Sequence, residues 1–163
     1  MLASFYAVLV ATACNKSPTK IAVADTARST ALAETRDSVK ALLHEFTERM
    51  NAGDLEGVGK LYSNDSSFSW IENGSLTYRN VKDVRDALLT LKSVPGIKLV
   101  YYETHIDVLA PGIATVRTEF SQTFGDKTRT ATTYGGYLTT TVVREKDGYR
   151  LRNGHTSSRK PRP

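Results

Sequence analysis

The sequence predicts an α+β fold: three helices in the N-terminal half, then a strongly curved, mainly antiparallel sheet. Three observations carry that expectation. Between residues 39 and 62, apolar side chains recur at three- and four-residue steps, interrupted once at Gly53. From residue 98 onward apolar and polar residues alternate in runs separated by Pro111-Gly112, Gly125-Asp126 and Asp147-Gly148. Asn73-Gly74 lies between two strand-like runs and suits the positive φ values of a tight hairpin turn.

The chain opens with an uncharged apolar run, Leu2 to Ala13, ahead of its single cysteine, Cys14. The run is shorter than the roughly 20 residues a membrane-spanning helix needs, and it has the character of an export signal. Val10-Ala11-Thr12-Ala13-Cys14 resembles a bacterial lipoprotein box, which implies lipidation of Cys14 and a membrane anchor. Asn15 after the cysteine implies delivery to the outer membrane, on the periplasmic side of the cell envelope. Residues 15–30, mostly small and polar, read as a flexible tether. The expected organisation is 1–14 signal, 15–30 tether, 31–158 one folded domain and 159–163 a basic tail.

The first helix is expected from Ala31, with Val39, Leu42, Leu43, Phe46 and Met50 on its buried stripe. Gly53 stops it, and Asp54 caps a second, short helix carrying Leu55, Val58, Leu61 and Tyr62. This bent pair forms one wall of a pocket whose other wall is the sheet. A hairpin over 68–78 follows, then a third helix capped by Asn80, with Asp83 at its third position and Val81, Val84, Leu88 and Leu91 facing inward. In the 98–109 strand, strict alternation groups Val100, Tyr102, Thr104, Ile106 and Val108 on one face. In the next strand it groups Ala114, Val116, Thr118, Phe120, Gln122 and Phe124. Gly135-Gly136 suggests a bulge or bend in the long β-branched run that follows. In the last strand, Tyr149, Leu151, Asn153 and His155 share one parity.

The formal charge of +5 resides in the C-terminal segment, where seven basic residues from Arg144 onward face two acids. No aromatic residues interleave with the Arg/Lys cluster as a stacking platform for nucleic acid requires, so no nucleic-acid partner is expected. The three histidines, His44, His105 and His155, show no metal-ligand spacing, and no phosphate-cradling loop, dinucleotide fingerprint or nucleophilic serine motif occurs. No metal and no cofactor are expected. His105 falls in phase with Glu103 and Asp107, a row that reads as a solvated or dimer-facing sheet surface.

Phe46-x3-Met50-Asn51-Ala52-Gly53-Asp54-Leu55-Glu56, the Tyr62-x2-Asp65 that follows, and the closing Asp147-Gly148-Tyr149-Arg150-Leu151-x3-His155-Thr156-Ser157 resemble the nuclear-transport-factor-2-like superfamily, its SnoaL-like branch most of all. The resemblance spans roughly residues 33–158 and implies a cone-shaped fold and dimerisation through the outer sheet face. It does not imply one activity, because this superfamily includes isomerases, cyclases, dehydratases and assembly domains. Carried over from ketosteroid isomerases, the oxyanion-donating tyrosine falls on Phe46, which has no hydroxyl. The proton-moving carboxylate falls on or next to Trp70. Ketosteroid isomerisation is therefore not expected.

The candidate pocket comprises Phe46, Trp70, Tyr102, Phe120, Gln122 and Asn153 as ligand-binding residues, with Tyr62, Tyr134 and His155 as candidates for chemistry. Aromatic walls with a few polar groups suit a small hydrophobic or aromatic molecule; they equally describe the plain core of such a fold. The first functional expectation is an envelope lipoprotein that binds such a molecule without catalysis. The second is a cyclase, dehydratase or isomerase using His155 as acid and base. The third is an assembly module whose pocket Trp70 and Phe120 fill.

Overall fold

In the computed structural model, which describes residues 18–94, 96–125 and 131–159, the elements run α1 (Pro18–Asn51), α2 (Leu55–Gly59), β1 (Ser69–Glu72), β2 (Ser75–Tyr78), α3 (Val81–Thr90), β3 (Lys98–Ala110), β4 (Ile113–Phe124), β5 (Thr132–Glu145) and β6 (Gly148–Arg159). The lipidation candidate Cys14 and residues 160–163 of the expected basic tail lie outside the described residues. The six strands form one sheet in the order β2-β1-β6-β5-β4-β3, antiparallel except where β1 runs parallel to β6. The helices cover its concave side, so the predicted α+β architecture is what the chain adopts. None of the described helices is long and apolar enough to cross a membrane.

Helix α1 begins at Pro18, not Ala31, so the segment expected to be a flexible tether is helical from there on. Residues 25–30 are exposed, and burial starts only with Thr35 and Val39. Two physical causes suffice. The packed C-terminal half supplies the costly helix nucleus, and Ala24, Ala27, Ala31 and Ala33 extend it at little cost. A stretch of mostly small and polar residues need not be buried, but that does not make it a coil.

The joint between α1 and α2 follows the expected chemistry. Gly53 turns the chain at φ 73, and the Asp54 side chain accepts from the Gly57 N–H at 2.9 Å. Asn51, the last residue of α1, acts on the sheet as well: its amide donates to the Leu99 carbonyl at 3.1 Å and accepts from the Leu99 N–H at 2.6 Å. One side chain thereby pairs with the edge strand β3 as a further strand would. Thr35 ties α1 to the far end of the sheet, accepting from the Gly112 N–H at 2.9 Å and from the Tyr149 hydroxyl at 3.2 Å.

Asn73 (φ 50) and Gly74 (φ 83) form the predicted hairpin turn, and Asn80 caps α3 by accepting from the Asp83 N–H at 3.0 Å. Gly135-Gly136 is not a bulge. The β4–β5 register runs unbroken from Ile113↔Val143 to Phe124↔Thr132. These positions are small because β6 passes close by: a β-carbon at Gly136 would sit 2.0 Å from the Ser157 carbonyl oxygen.

The bulges lie elsewhere and change which side chains face inward. In β3 two residues, Glu103 and Thr104, oppose the single Thr118 of β4, with Glu103 at φ 37. Before the bulge Leu99 and Tyr101 face inward; after it Ile106 and Val108 do. In β6 the register shifts at Arg152, because Val142 pairs with Leu151 and the adjacent Thr141 with Asn153. There the strand stops bonding the Leu61–Ser63 segment and starts pairing with β1. A bulge is a natural place for that change of partner.

Candidate functional site

Between α1, α3 and the concave side of the sheet lies a cavity of about 330 Å³, within the range of small-molecule sites. Its floor consists of Phe120, Leu138 and Leu151, with Gln122 and Phe124 further along β4. Phe46 and Met50 from α1 and Val84, Leu88 and Leu91 from the α3 region form the walls. Trp70, Glu72 and Tyr78 from the hairpin, with Tyr62 and Tyr101, supply the aromatic and polar side. Trp70 and Phe120 line this space and do not fill it, which removes the ground for a sealed assembly module.

Tyr62 is held in place by the backbone on either side of it. The Leu61 carbonyl accepts from the Leu151 N–H at 2.9 Å, and the Ser63 N–H donates to the Leu151 carbonyl at 2.8 Å. Phe46 and Trp70 each meet its ring edge-on, at 5.9 and 5.4 Å between centroids. Its hydroxyl makes no hydrogen bond to any described residue, yet no sealed side-chain polar atom lacks a partner, so that hydroxyl remains reachable from the hollow. Burial pushes the pKa values of Tyr62 and Tyr101 well above the phenol range, so both stay neutral donors.

Trp70 is buried, and its indole N–H donates to the Thr156 hydroxyl at 3.1 Å. It lies over Gly154, where a β-carbon would sit 2.3 Å from the indole ring. Only glycine at 154 leaves room for tryptophan at 70. Glu72, two residues on, faces the same way and is half-buried. Burial alone raises its carboxyl above the usual value, and the Tyr78 phenol is raised by its own burial and then by the Glu72 charge. No other described lining residue is an acid, Lys, Arg or His.

Four of the six predicted ligand-binding residues, Phe46, Trp70, Phe120 and Gln122, do line the cavity, and so does Tyr62. The others do not. Tyr102 lies before the β3 bulge on the outer face and is 48 % exposed; Tyr101 takes the inner position. Asn153 and His155 follow the Arg152 bulge and are exposed. His155 pairs with Thr139 and Ile71, both on the convex side, while Thr156 pairs with the lining residue Leu138. In the orientation that satisfies both its ends, the Asn153 amide donates to the Ser67 carbonyl at 3.2 Å. His155 and Trp70 thus occupy opposite faces of the sheet, and the proton-shuttle role read into His155 falls away. Tyr134 shares the inner face with its register partner Gln122, but it packs on Phe124 at 6.3 Å and stays outside the lining.

Sequence reasoning missed Glu72, Tyr78 and Tyr101. Glu72 was legible as Trp70 plus two on a strand; Tyr78 was not, because the tight turn alone would set Thr77 opposite Trp70 and a register shift between Trp70 and Ile71 brings Tyr78 there instead. Tyr101 was not, because the bulge that turns it inward leaves no mark in the residue pattern. Among the described residues no group of three His, Cys, Asp or Glu side chains could hold a metal ion.

A family model described as SnoaL-like domain matches residues 39–161. Comparison with curated proteins gives no match. Among solved structures, the chain is similar to a protein from Novosphingobium aromaticivorans provisionally named a scytalone dehydratase, at TM-score 0.72 and 12% identity, over 80% of this chain and 88% of that one. It is also similar to a ketosteroid isomerase-like protein from Erwinia carotovora, at TM-score 0.63 and 16% identity, over 77% and 96% of the two chains. An NTF-2-like protein of unknown function from Shewanella oneidensis aligns at TM-score 0.62 and 21% identity, over 75% and 98%. At these identities the likeness is one of fold.

Proposed function

The chain belongs to the SnoaL-like domain family, and from that premise we propose that it binds a small, mostly apolar molecule in the cavity. The observation that carries this reading is the hollow itself: about 330 Å³ walled mainly by aromatic and aliphatic side chains, with the Tyr62 hydroxyl left without a partner among the described residues. A plain core would close over such a volume, because unfilled space forfeits dispersion contacts along its whole lining. The dehydratase and isomerase names of the structural neighbours belong to those proteins. For this chain, His155 on the convex face leaves no histidine to serve a cavity-bound substrate.

The setting we propose is the periplasmic side of a bacterial envelope, with Cys14 lipidated and the outer membrane as its address. The apolar run before Cys14 and the Asn15 after it support that reading. A homodimer through the convex sheet face is the proposed assembly, supported by the exposed Tyr137 and Ile113 on that face.

Thermal unfolding in the presence of apolar and aromatic compounds, amines included, tests the binding role. Occupancy at a hundred times the dissociation constant stabilises by about 2.7 kcal/mol, and a domain of this size should then melt several degrees higher. If no aromatic alcohol, sterol, lipid or aromatic amine raises the midpoint, the cavity is not a ligand site.

A further inference from the structure

Among the described residues that line the cavity, Glu72 is the only carboxylate, and none is a Lys, Arg or His. It forms no ion pair or hydrogen bond with any described residue, and burial is the one influence acting on its carboxyl. Other carboxylates of the described protein do pair, among them Glu45 and Asp54 on Arg49, Glu56 with Lys92 and Asp65 with Arg152, while those left unpaired, such as Glu48, Glu103 and Asp107, lie on the solvent-facing surface or outside the cavity. A half-buried carboxylate without a counter-charge destabilises the empty protein, and this one stands in the very wall that a ligand would touch.

Its surroundings are aromatic. Trp70 precedes it by two residues on the same face, Tyr78 lies across the hairpin, and the phenols of Tyr62 and Tyr78 both feel its charge. Ring faces attract a cation and offer nothing to an anion. A neutral guest leaves Glu72 without its counter-charge, and an anionic one is repelled by it. A guest with a protonated amine at one end satisfies the carboxylate by a charge-assisted hydrogen bond and lays its hydrocarbon body along Phe46, Leu88 and Phe120.

Resting on the reading of the cavity as a ligand site, we propose that the ligand is a cationic amphiphile, an apolar or aromatic body bearing a protonated amine that docks against Glu72. The test uses amine and alcohol pairs that share one hydrocarbon body: phenethylamine with phenethyl alcohol, and hexylamine with hexanol. Affinities are read by ligand-observed NMR at neutral pH for the wild type, Glu72→Gln and Glu72→Asp. The expected result is that each amine binds about tenfold or more tightly than its alcohol to the wild type. That preference should collapse in Glu72→Gln and persist in Glu72→Asp, which keeps the charge. If the alcohols bind but the amines bind no more tightly, or if the amine preference survives Glu72→Gln, the amine assignment is overturned and the cavity reading stands. If none of the four compounds binds, both fall together.

Discussion

Among single residues, Glu72 has the clearest consequence for the unliganded protein. Burial raises its carboxyl pKa in the folded state above the usual 4.5. Well below 4.5 the group is protonated in folded and unfolded chains alike and has no effect on stability. As pH climbs through that value, the unfolded chain releases its proton first, and folding becomes less favourable until the native carboxyl also ionises. Glu72→Gln removes the penalty. The variant should therefore be more stable than the wild type at neutral pH, with the difference vanishing toward pH 4. Guanidinium midpoints at the two pH values check it; a wild type equal to or more stable than the variant at neutral pH contradicts it.

For the elements, the firmest prediction concerns the seam between α1 and β3. Asn51→Ala removes both bonds to Leu99 and leaves an edge-strand N–H and carbonyl to find other partners. A loss of about 1–3 kcal/mol is expected in denaturant unfolding, with faster hydrogen exchange at the Leu99 amide. The sequence announces Asn51 only as part of a helix stop, since nothing local says which strand its amide will meet. The same limit explains the misplaced faces. Asp54, Asn80 and Asn73-Gly74 act through neighbours within a few residues, so their roles were readable. The bulges at Glu103 and Arg152 arise from long-range pairing, and a glutamate at positive φ gives no warning in composition. Alternation counted in twos holds in β4, which has no shift against β5, and so Phe120 and Gln122 were placed correctly. It fails in β3 ahead of the bulge, where Tyr101 and not Tyr102 faces inward, and in β6 beyond it.

For the molecule as a whole, the α+β fold class was readable because apolar periodicity and turn chemistry agreed over some 120 residues; the strand order, with β1 parallel to β6, was not. The N-terminal extension of α1 was not, because residues 25–30 are exposed and show no apolar stripe to mark them as helix. A chain starting at Ala31 should fold with its melting temperature essentially unchanged, since the residues described just before that point are exposed and the anchoring contacts begin at Thr35. Differential scanning calorimetry of the truncated chain checks this; a drop of many degrees would mean that the extension braces the domain. The kink at Arg152 also bears on how such chains vary. An extra residue carried as a blister on the strand can be lost by an in-frame deletion without exchanging inside for outside, because Asn153 simply takes over the outward slot. The same deletion two positions later would turn the remaining ribbon over and send the imidazole into the hollow. Comparisons that place their gap on the wrong side of this blister will therefore assign His155 to the wrong surface.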